Sequence, residues 1–590
     1  MKAGCAEPAK EKLLMRGYWI LAGLLCIGSM AVAAAPPGKP NIIFVLADDL
    51  GLDGVSCYGA DKHKTPHIDA LAASGIRFET CYAAPLCGPS RCVLQTGRYA
   101  FRTGGVTNQS WRAGGPGARS ADEFPIARLM KQAGYATGQA GKWRQIGETP
   151  RDWGYDEYLT DQTAGGWYWE TRYQKNGREI NLPAGTYGPD LVQEFTVDFL
   201  RRHKDHPFFF YYATHLVHKP TLRTPDTAQG VKNIDRLYDD NIRYMDKQVG
   251  ALVAELEQLG LRQNTLIIFA GDNGTAAGYP STVGGRMIHG AKGSMLEGGS
   301  RVPFIASWPA VTPTGKVLPD IVSFADPYVS FAELAGAKLP DGFKLDGHSF
   351  APQLRGEVGT PRPWAYVQLD GHWYVRDPGF KLNQAGELFD MSDAPFTEKP
   401  IAPAADTEQS KAARQRLGAV LAELNPAAGK TDRAGGRPKA QRRKAAELDP
   451  ADGIPYKVVT ASSVENDEHD AGKVNDDAPD TYWCADDDSD GVPEFWQADL
   501  EKPTDLSGCA ILWQFDGKQY QYQVEGSADG QNWSVLNDQT KNTRRLQQHE
   551  LKFDTAKGIR FVRITVTGVE DGCWVGIREV KVFGQARAGG

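Results

Sequence analysis

Residues 41–49 read Asn-Ile-Ile-Phe-Val-Leu-Ala-Asp-Asp, a continuous apolar run that ends in two adjacent carboxylates. A short run with β-branched residues predicts a strand that is buried on both faces, as in a parallel sheet. Adjacent carboxylates at such a place commonly cap a helix, but the ligands of open α/β sheets bind beyond the carboxyl ends of the strands. The position of Asp48 and Asp49 therefore favours a bound cation.

Three more runs, at residues 135–140, 207–214 and 265–270, show the same arrangement of apolar residues followed by polar ones. Between the last two runs, apolar side chains recur every three or four positions over residues 234–259, which predicts a helix with one buried face. This alternation predicts an α/β fold with a mostly parallel sheet and helices on both faces. The polar residues that follow the runs are Lys142, His215, His218, Asp272 and Asn273.

The composition suits a globular protein with more than one domain. The chain has 590 residues, of which 41% are hydrophobic, and a formal net charge of -7. This length exceeds what a single core usually spans. Because the chain has no basic excess, we do not expect it to bind nucleic acid.

The N-terminus has the order of regions found in a secretory signal peptide. Basic residues precede an apolar run at residues 18–32, and small residues follow at 31–35. We predict that residues 1–35 form a signal peptide and that the protein is exported to the periplasm or the extracellular space. The apolar run is short for a membrane span, so we expect no stable membrane insertion; an uncleaved anchor is the alternative.

Residues 87–98 read Cys-Gly-Pro-Ser-Arg-Cys-Val-Leu-Gln-Thr-Gly-Arg. Pro89 suits the first turn of a helix, so we expect the Cys87 thiol at the helix N-terminus, where free N–H groups and the dipole favour negative charge. Arg91 follows one turn later and could hold an oxyanion substrate or an activated nucleophile. A single Cys near a Pro is more often a buried small side chain or half of a disulfide, but the whole pattern points to a nucleophile.

These twelve residues resemble the Cys-x-Pro-Ser-Arg-x-x-x-x-Thr-Gly-Arg signature of the type I sulfatases, which belong to the alkaline-phosphatase-like superfamily. The resemblance extends over about residues 39–424 and includes a less regular part from residue 311, which we take as a smaller C-terminal subdomain. It implies hydrolysis of sulfate esters, here on a sulfated glycan. It also implies that a formylglycine-generating enzyme or an anaerobic maturase oxidises Cys87 to formylglycine, whose hydrate is the nucleophile.

Asp48, Asp49, Asp272 and Asn273 offer only oxygen ligands, which favour Ca²⁺ or, less so, Mg²⁺ over zinc or copper. The resemblance implies that these four residues bind a Ca²⁺ ion that also contacts the formylglycine at position 87. It further implies catalytic roles for residues that approach the sulfate, the nucleophile and the leaving oxygen. The implied catalytic set is Cys87, Arg91, Lys142, His218 and Lys292.

The roles of two histidines and one lysine follow from short sequence blocks that resemble blocks of the family. Lys292 lies in a Gly-rich block at residues 290–299 that resembles the family block whose Lys contacts the sulfate. His218 matches the residue that protonates the leaving oxygen, whereas His215 only packs or lines the pocket.

One block departs from the family pattern, because Arg144, or Gln145 with an insertion, stands where the family has His after Gly-Lys-Trp. In one interpretation Arg144 reaches the pocket and favours a substrate with a second anion. In the other it points outward and Gln145 bonds the nucleophile.

Two rival functions follow from the same residues. A pocket of metal and cations also suits a phosphonate or phosphate ester, whose hydrolysis a related enzyme of the same superfold would carry out. The alternative outside catalysis is a glycan-binding protein with a decayed site, supported by the departure at Arg144.

Residues 425–452 are rich in Ala, Gly, Pro and basic residues and have scarcely any large apolar residue. Such a segment cannot bury enough surface to fold alone, so we predict a disordered linker. Its basic residues serve either a solvated tether or contact with a polyanionic glycan.

Residues 453–586 change to alternating patterns such as those at 520–525 and 560–566, with turns between them, which predicts an all-β sandwich. Short blocks resemble the discoidin or coagulation factor 5/8 type C module, a jelly roll that often binds sugars. The resemblance implies a glycan as the ligand of this module. The tryptophans expected in its core are Trp483 and Trp533.

Three further expectations concern this module. Phe515 and Trp574 are candidates for sugar contact at its exposed tips. The resemblance also places a structural Ca²⁺ at Asp476, Thr481 and Glu579, although Ala478 replaces an expected Asn. Odd cysteine counts argue against a disulfide framework, and the favoured single pair is Cys484 with Cys573.

Overall fold

The structure is a computed structural model that describes residues 38–111, 117–143, 146–161, 168–169, 172–279, 281–429, 453–465, 469–475, 481–486, 493–515, 518–570 and 574–586. The predicted signal peptide and residues 430–452 of the predicted linker lie outside this part of the chain. Arg144, Gln145 and Cys573 lie outside it as well, so both interpretations of Arg144 and the Cys484–Cys573 pairing stay predictions.

Strands and helices alternate through the first part of the chain, as predicted. The strands are β1 (Asn41–Ala47), β2 (Ile76–Tyr82), β3 (Ala136–Gly141), β4 (Glu157–Asp161), β5 (Arg172–Lys175), β6 (Arg178–Asn181), β7 (Phe208–Ala213), β8 (Thr265–Gly271), β9 (Thr282–Val283), β10 (Arg286–Met287), β11 (Arg301–Ser307) and β12 (Lys316–Ser323). The helices are α1 (Pro66–Ala73), α2 (Cys87–Thr96), α3 (Ala100–Thr103), α4 (Ile126–Gln132), α5 (Gly188–Arg202), α6 (Ile234–Gln258), α7 (Glu297–Ser300), α8 (Asp326–Ala335), α9 (Ala351–Leu354) and α10 (Glu408–Leu424).

Among the described residues, ten of these strands form one sheet in the order β12-β2-β11-β8-β1-β7-β3-β4-β5-β6. Its centre is parallel, since β1 pairs in parallel with both β7 and β8, and β3 and β4 continue beyond β7. Antiparallel strands flank this centre, β11 beside β8 and β5 beside β4. The prediction of a mostly parallel sheet is therefore confirmed.

The central strand β1 is buried on both faces because its side chains alternate between two apolar cores. Phe44 and Leu46 belong to the core that α2, α4 and α8 cover, whereas Ile43 and Val45 belong to the core under α1, α5 and α6. Helices thus lie on both faces of the sheet, and the carboxyl ends of the parallel strands meet at one edge.

A small antiparallel sheet follows, with α10 packed on β14 and β15. Its strands are β13 (Ala365–Leu369), β14 (His372–Arg376), β15 (Phe380–Asn383), β16 (Leu388–Asp390) and β17 (Lys399–Ile401). The prediction that the smaller subdomain begins at residue 311 is wrong. β12 extends the large sheet by pairing with β2, and α8 packs on α2 and α4, so both belong to the larger unit.

The C-terminal part is an antiparallel β-sandwich. Its strands are β18 (Lys457–Ala461), β19 (Trp483–Cys484), β20 (Glu494–Trp513), β21 (Tyr520–Ser527), β22 (Ser534–Gln539), β23 (Gln548–Val569) and β24 (Gly576–Ala586). Two strands are longer than the short ones predicted, with 20 residues in β20 and 22 in β23. Register shifts between them mark bulges, which bend a strand and let it continue.

The predicted core of the sandwich is half right. Trp483 is fully buried, as predicted. Trp533 is only half-buried, and the Arg563 guanidinium stacks 3.9 Å from the centroid of its ring, so its assignment to the core is wrong. Phe515 and Trp574 are half-buried and meet edge to face at 5.3 Å, and their sugar contact stays a prediction.

Candidate active site

The predicted site residues come together at the carboxyl edge of the large sheet. They are supplied by the segments that follow β1, β3, β7 and β8, by the first turns of α2 and by the loop before α7. These elements are distant in sequence but adjacent in the sheet order. The residues brought together are Asp48, Asp49, Cys87, Arg91, Lys142, His218, Asp272, Asn273 and Lys292.

Cys87 is the first residue of α2 and is only 1% exposed. Its Sγ lies 3.5 Å from Asp48 Oδ1, 3.8 Å from Asp49 Oδ1 and 3.5 Å from Lys142 Nζ. Burial and the Asp272 carboxylate raise the pKa of the thiol well above its usual value. A thiol with a raised pKa stays protonated at neutral pH, so an unmodified Cys87 would be a poor nucleophile.

Arg91 is fully buried, and all three nitrogens of its guanidinium have polar partners in the site. Its Nη2 and Nε donate to Asp272 Oδ2 at 2.7 and 3.1 Å, and Nη2 lies 3.6 Å from Asp48 Oδ1. Its Nη1 donates to the Lys142 carbonyl at 3.2 Å and to the Tyr211 hydroxyl at 3.4 Å. Tyr211 was not predicted, because an aromatic residue inside the apolar β7 run gives no signal of such a contact.

Lys142 and Lys292 approach the thiol region from two sides. Lys142 Nζ donates to Asp48 Oδ2, and Lys292 Nζ donates to Asp49 Oδ2 at 2.8 Å. Burial alone would lower both lysine pKa values, but the neighbouring carboxylates outweigh it and raise them. Both lysines are therefore ammonium groups at neutral pH.

His218 lies beside Lys292, with 3.2 Å between its Nε2 and the Lys292 Nζ. Burial and the ammonium groups of Lys142 and Lys292 lower the pKa of His218 well below its usual value. The ring is therefore neutral, and its Nδ1 donates to the Lys219 carbonyl. In this tautomer His218 Nε2 accepts a hydrogen bond from the Lys292 ammonium. The proton that the pair can deliver therefore resides on the lysine.

Asn273 carries the observation that best fits a metal. Its Nδ2 donates to Asp49 Oδ1 at 2.8 Å, whereas its Oδ1 is buried and has no hydrogen-bond partner among the described residues. A buried oxygen seldom lacks a partner, and an amide oxygen beside carboxylates is a ligand for a hard cation such as Ca²⁺.

A second group of side chains that could bind a metal shares residues with the predicted Ca²⁺ site. One ligand atom each from Asp48, Asp49, Cys87 and His218 all lie within 4.8 Å of one another. Asp48 and Asp49 are also predicted ligands, so the two sets describe one site. Asp272 fits less directly, because its Oδ2 binds the guanidinium and its Oδ1 accepts the Asp49 N–H at 3.0 Å.

The charges of the site balance without a metal. Burial and Asp48 raise the pKa of Asp272 to about 6, so it is still mainly ionised at neutral pH. A bound dication would therefore leave the site positive, as an anionic ester requires. The balancing charges are the carboxylates of Asp48, Asp49 and Asp272 and the cations of Arg91, Lys142 and Lys292.

Glycines let the lysine loop lie directly against the segment that follows β8. The Gly274 N–H donates to the Gly299 carbonyl at 2.9 Å. A Cβ at Gly274 would lie 1.6 Å from the Gly298 oxygen, one at Gly298 2.3 Å from the Gly290 oxygen, and one at Gly299 2.0 Å from the Ser294 oxygen. Only glycine permits so close an approach of backbones.

His215 does not reach the thiol in the described contacts. Its Nε2 lies 3.2 Å from Asp161 Oδ1, and both side chains are buried. The Tyr168 hydroxyl donates to the carbonyls of His215 at 3.0 Å and of His218 at 2.6 Å. His215 thus packs in the wall of the site, one of the two predicted alternatives, and Tyr168 and Asp161 gave no sequence signal.

The glycine block, the helix-borne thiol and the paired cations occur in a chain whose residues 40–337 match the family model described as Sulfatase. The fold and the match define a hydrolase of sulfuric esters. The chain belongs to the sulfatase family.

The alignments with curated relatives cover about three quarters of each relative's length. N-acetylgalactosamine-6-sulfatase of Canis lupus familiaris is 32% identical over 386 residues, which cover 60% of this chain and 73% of that protein. Arylsulfatase D of Homo sapiens is 30% identical over 438 residues, with 58% of this chain and 74% of that protein covered.

Solved structures share the fold. Ps i-CgsB in complex with k-i-k-neocarrahexaose is 29% identical with a TM-score of 0.59, and 66% of this chain and 93% of that chain are covered. The PsFucS1 sulfatase from Pseudoalteromonas sp. is 23% identical with a TM-score of 0.57, over 67% of this chain and 92% of that chain.

A second family model, described as F5/8 type C domain, matches residues 458–580. The antiparallel sandwich formed by β18 to β24 extends over residues 457–586 and contains this range, which confirms the predicted resemblance. In the part of the chain that the structure describes, no helix combines the length and apolarity needed to cross a membrane. Glu579 is buried, whereas Asp476 and Ala478 lie outside the described residues, so the second Ca²⁺ site stays a prediction.

Proposed function

We propose that this sulfatase is exported and hydrolyses sulfate esters on a carbohydrate, with formylglycine made from Cys87 as its nucleophile and Ca²⁺ as its metal. The observation that carries the proposal is the buried thiol enclosed by paired cations and carboxylates. A buried thiol with a raised pKa would attack poorly, which supports formylglycine as the nucleophile at this position.

The residues of the chain have distinct proposed roles. Asp48, Asp49, Asp272 and Asn273 would hold the Ca²⁺ ion, which supplies positive charge for the substrate oxygens when bound. Arg91, Lys142 and Lys292 contribute fixed cations that stabilise negative charge on the sulfate oxygens in the transition state. The low-dielectric surroundings make each cation worth more than it would be in water.

The leaving oxygen receives its proton from the Lys292–His218 pair. Because His218 is neutral and accepts from Lys292, the proton resides on the lysine before reaction. As the ester bond breaks, the leaving oxygen becomes a strong base and takes this proton, directly or through the imidazole. The donor therefore remains charged over the whole pH range in which most enzymes work.

A carbohydrate substrate is supported by two comparisons. Residues 458–580 match a domain family whose resemblance implies sugar binding. The 29% identical Ps i-CgsB was solved with k-i-k-neocarrahexaose. Export and the action of a maturase rest on the predicted signal peptide and on the sequence around Cys87.

Mass spectrometry of the peptide that carries residue 87 tests the nucleophile. We expect an aldehyde after expression with a formylglycine-generating enzyme or an anaerobic maturase, and a loss of at least about 10⁴-fold in turnover for Cys87→Ala. Fully active enzyme with an unmodified thiol would refute the mechanism.

A matched pair of aryl esters tests the rival chemistry. We expect sulfate to be cleaved faster than phosphate or phosphonate, and exhaustive chelation to abolish cleavage until Ca²⁺ is restored. A panel of sulfated mono- and oligosaccharides then identifies the sugar. Preference for phosphate would favour the rival assignment, and rates unaffected by chelation would exclude the metal.

A further inference from the structure

Support for the active site also comes from the small antiparallel sheet, beyond residues 40–337 of the family match. Two of its side chains bind the backbone of the loop that carries Lys292. Lys381 Nζ, on β15, donates to the Met295 carbonyl at 2.9 Å. Glu398 Oε1, just before β17, accepts the Glu297 N–H at 2.8 Å.

The two side chains also bind each other in a buried ion pair. The Lys381 side chain is 4% exposed and that of Glu398 is 1% exposed. The ammonium of Lys381 further lies over the rings of Tyr374 and Phe389, at 4.5 and 5.4 Å from their centroids. A buried ion pair is weak evidence for stability, since apolar replacements are often as stable. A geometric role explains it better.

A second contact from the same sheet reaches the same loop. The buried Glu297 carboxylate accepts from the Tyr82 hydroxyl at 2.8 Å and from Arg376 Nη1, on β14, at 3.3 Å. Arg301 adds a third donor at 3.3 Å. Glu297 is therefore fixed through its backbone by Glu398 and through its side chain by Arg376.

Glu297 is only a few residues from Lys292 along the chain, and its loop contacts the segment that carries Asn273. Glu297 is followed by the glycines that lie against Gly274, and Gly274 follows the metal-ligand candidate Asn273. On the other side, the Lys292 N–H donates to the Thr275 carbonyl at 3.0 Å. Any displacement of the loop would move both the lysine and the asparagine.

We propose that Lys381 and Glu398 are positioning residues for sulfate ester hydrolysis. Together they hold the 292–299 loop so that Lys292 and Asn273 keep their places. The inference rests on the role proposed above for Lys292. Positioning errors of about 1 Å can cost about 100-fold in rate, so the effect of losing this support is measurable.

The test uses the double variant Lys381→Met/Glu398→Met in the full chain, because neither methionine can replace the hydrogen bonds to the Met295 carbonyl and the Glu297 N–H. Removing one partner would leave a buried unpaired charge, whereas the double variant removes both charges and keeps similar volumes. We expect kcat/KM for a small aryl sulfate to fall about 10- to 100-fold, and the Ki of inorganic sulfate to rise at least about fivefold, in protein with a normal unfolding transition.

Three comparison variants make the result interpretable. Lys411→Gln removes an exposed ion pair with Glu408 on α10 of the same subdomain and should leave both constants unchanged. Glu398→Asp keeps the charge, but its shorter side chain withdraws the acceptor from the Glu297 N–H. If the double variant does not fold, Glu398→Asp replaces it as the test, with the same expected changes in kcat/KM and in the Ki of sulfate. Lys292→Ala reports on the proposed role of Lys292 itself.

The outcomes separate the two proposals. Folded double-variant protein with the wild-type kcat/KM and sulfate Ki overturns the positioning role while Lys292→Ala remains inactive. Glu398→Asp with unchanged constants does the same. Wild-type turnover by Lys292→Ala would overturn the role of Lys292 and, with it, this inference.

Discussion

Each active-site cation is paired with a carboxylate of its own, which fixes its position before substrate arrives. Preorganised charges of this kind stabilise a transition state without the cost of reorienting at the moment of reaction. The pairs also leave the site close to neutral, so a dication changes its charge strongly. The pairs are Arg91 with Asp272, Lys142 with Asp48, and Lys292 with Asp49.

Gly274→Ala tests the close backbone approach behind these charges. The added Cβ would lie 1.6 Å from the Gly298 carbonyl oxygen, so the backbone must move. We expect a loss of about 1–3 kcal/mol in unfolding free energy and a rise of about tenfold in the Ca²⁺ concentration for half-maximal turnover. Calcium titrations of turnover and denaturant unfolding measure the two effects.

Gly371→Ala is the matched control, because a Cβ there meets nothing within 4 Å. It should change neither quantity noticeably. If Gly274→Ala behaved like the control, the loop would not depend on this contact.

At the scale of elements, β23 carries a titratable side chain in the core of the sandwich. The His549 ring is 5% exposed, and its Nδ1 lies 2.7 Å from the Tyr522 hydroxyl. Its Nε2 is buried without a hydrogen-bond partner in the described part of the chain. Burial, and then Arg544, lower the pKa of His549 from 6.5 to about 4.

This lowered pKa makes the sandwich sensitive to acid. Between these two pKa values the unfolded chain binds the proton more readily than the folded one, so stability falls as pH decreases from about 6.5 towards about 4. We expect amides of β23 to lose protection between about pH 7 and about pH 5, measured by hydrogen exchange with correction for intrinsic rates. His549→Gln should flatten this dependence. An equal dependence in both proteins would assign it to other groups.

Elements whose apolar pattern reflects their own burial were the most predictable. The strand expected at residues 41–47 and the helix expected at 234–259 appear as Asn41–Ala47 and Ile234–Gln258. Their patterns are set by burial of their own side chains, so a short window contains the signal. The long strands β20 and β23 were not predicted, because a bulge hides their continuity in sequence.

Side chains that act through a distant partner were not predictable. Tyr211 meets Arg91 across 120 positions of sequence. The Tyr168 hydroxyl donates to main-chain carbonyls of the histidine loop, and a main-chain partner leaves no trace in residue type. Trp533 was misassigned because hydrophobic character does not reveal that a guanidinium covers its ring.

At the scale of the whole molecule, the proposed catalytic residues, Lys381 and Glu398 all precede Leu424, where α10 ends. The sulfate site and the module at residues 458–580 therefore occupy separate lengths of chain. A tethered binding module raises the effective concentration of a polymeric substrate but not of a small one.

Cleavage within residues 425–452 should separate these two contributions. We expect the N-terminal part to keep its rate on a small aryl sulfate and to lose up to about 100-fold in kcat/KM on a polymeric sulfated glycan. The C-terminal part alone should retain carbohydrate binding, measured by calorimetry. Equal losses on small and large substrates would instead mean that the sandwich completes the active site.

The enclosure of Cys87 restricts when it can be modified. The residue is 1% exposed, with α2 formed around it and carboxylates against its sulfur. The folded protein therefore does not present this side chain to a modifying enzyme. If Cys87 is converted to formylglycine as proposed, we expect the oxidation to precede folding, while the newly made chain is still open. A variant that folds faster around this helix would be expected to yield a smaller modified fraction, although its final structure is the same.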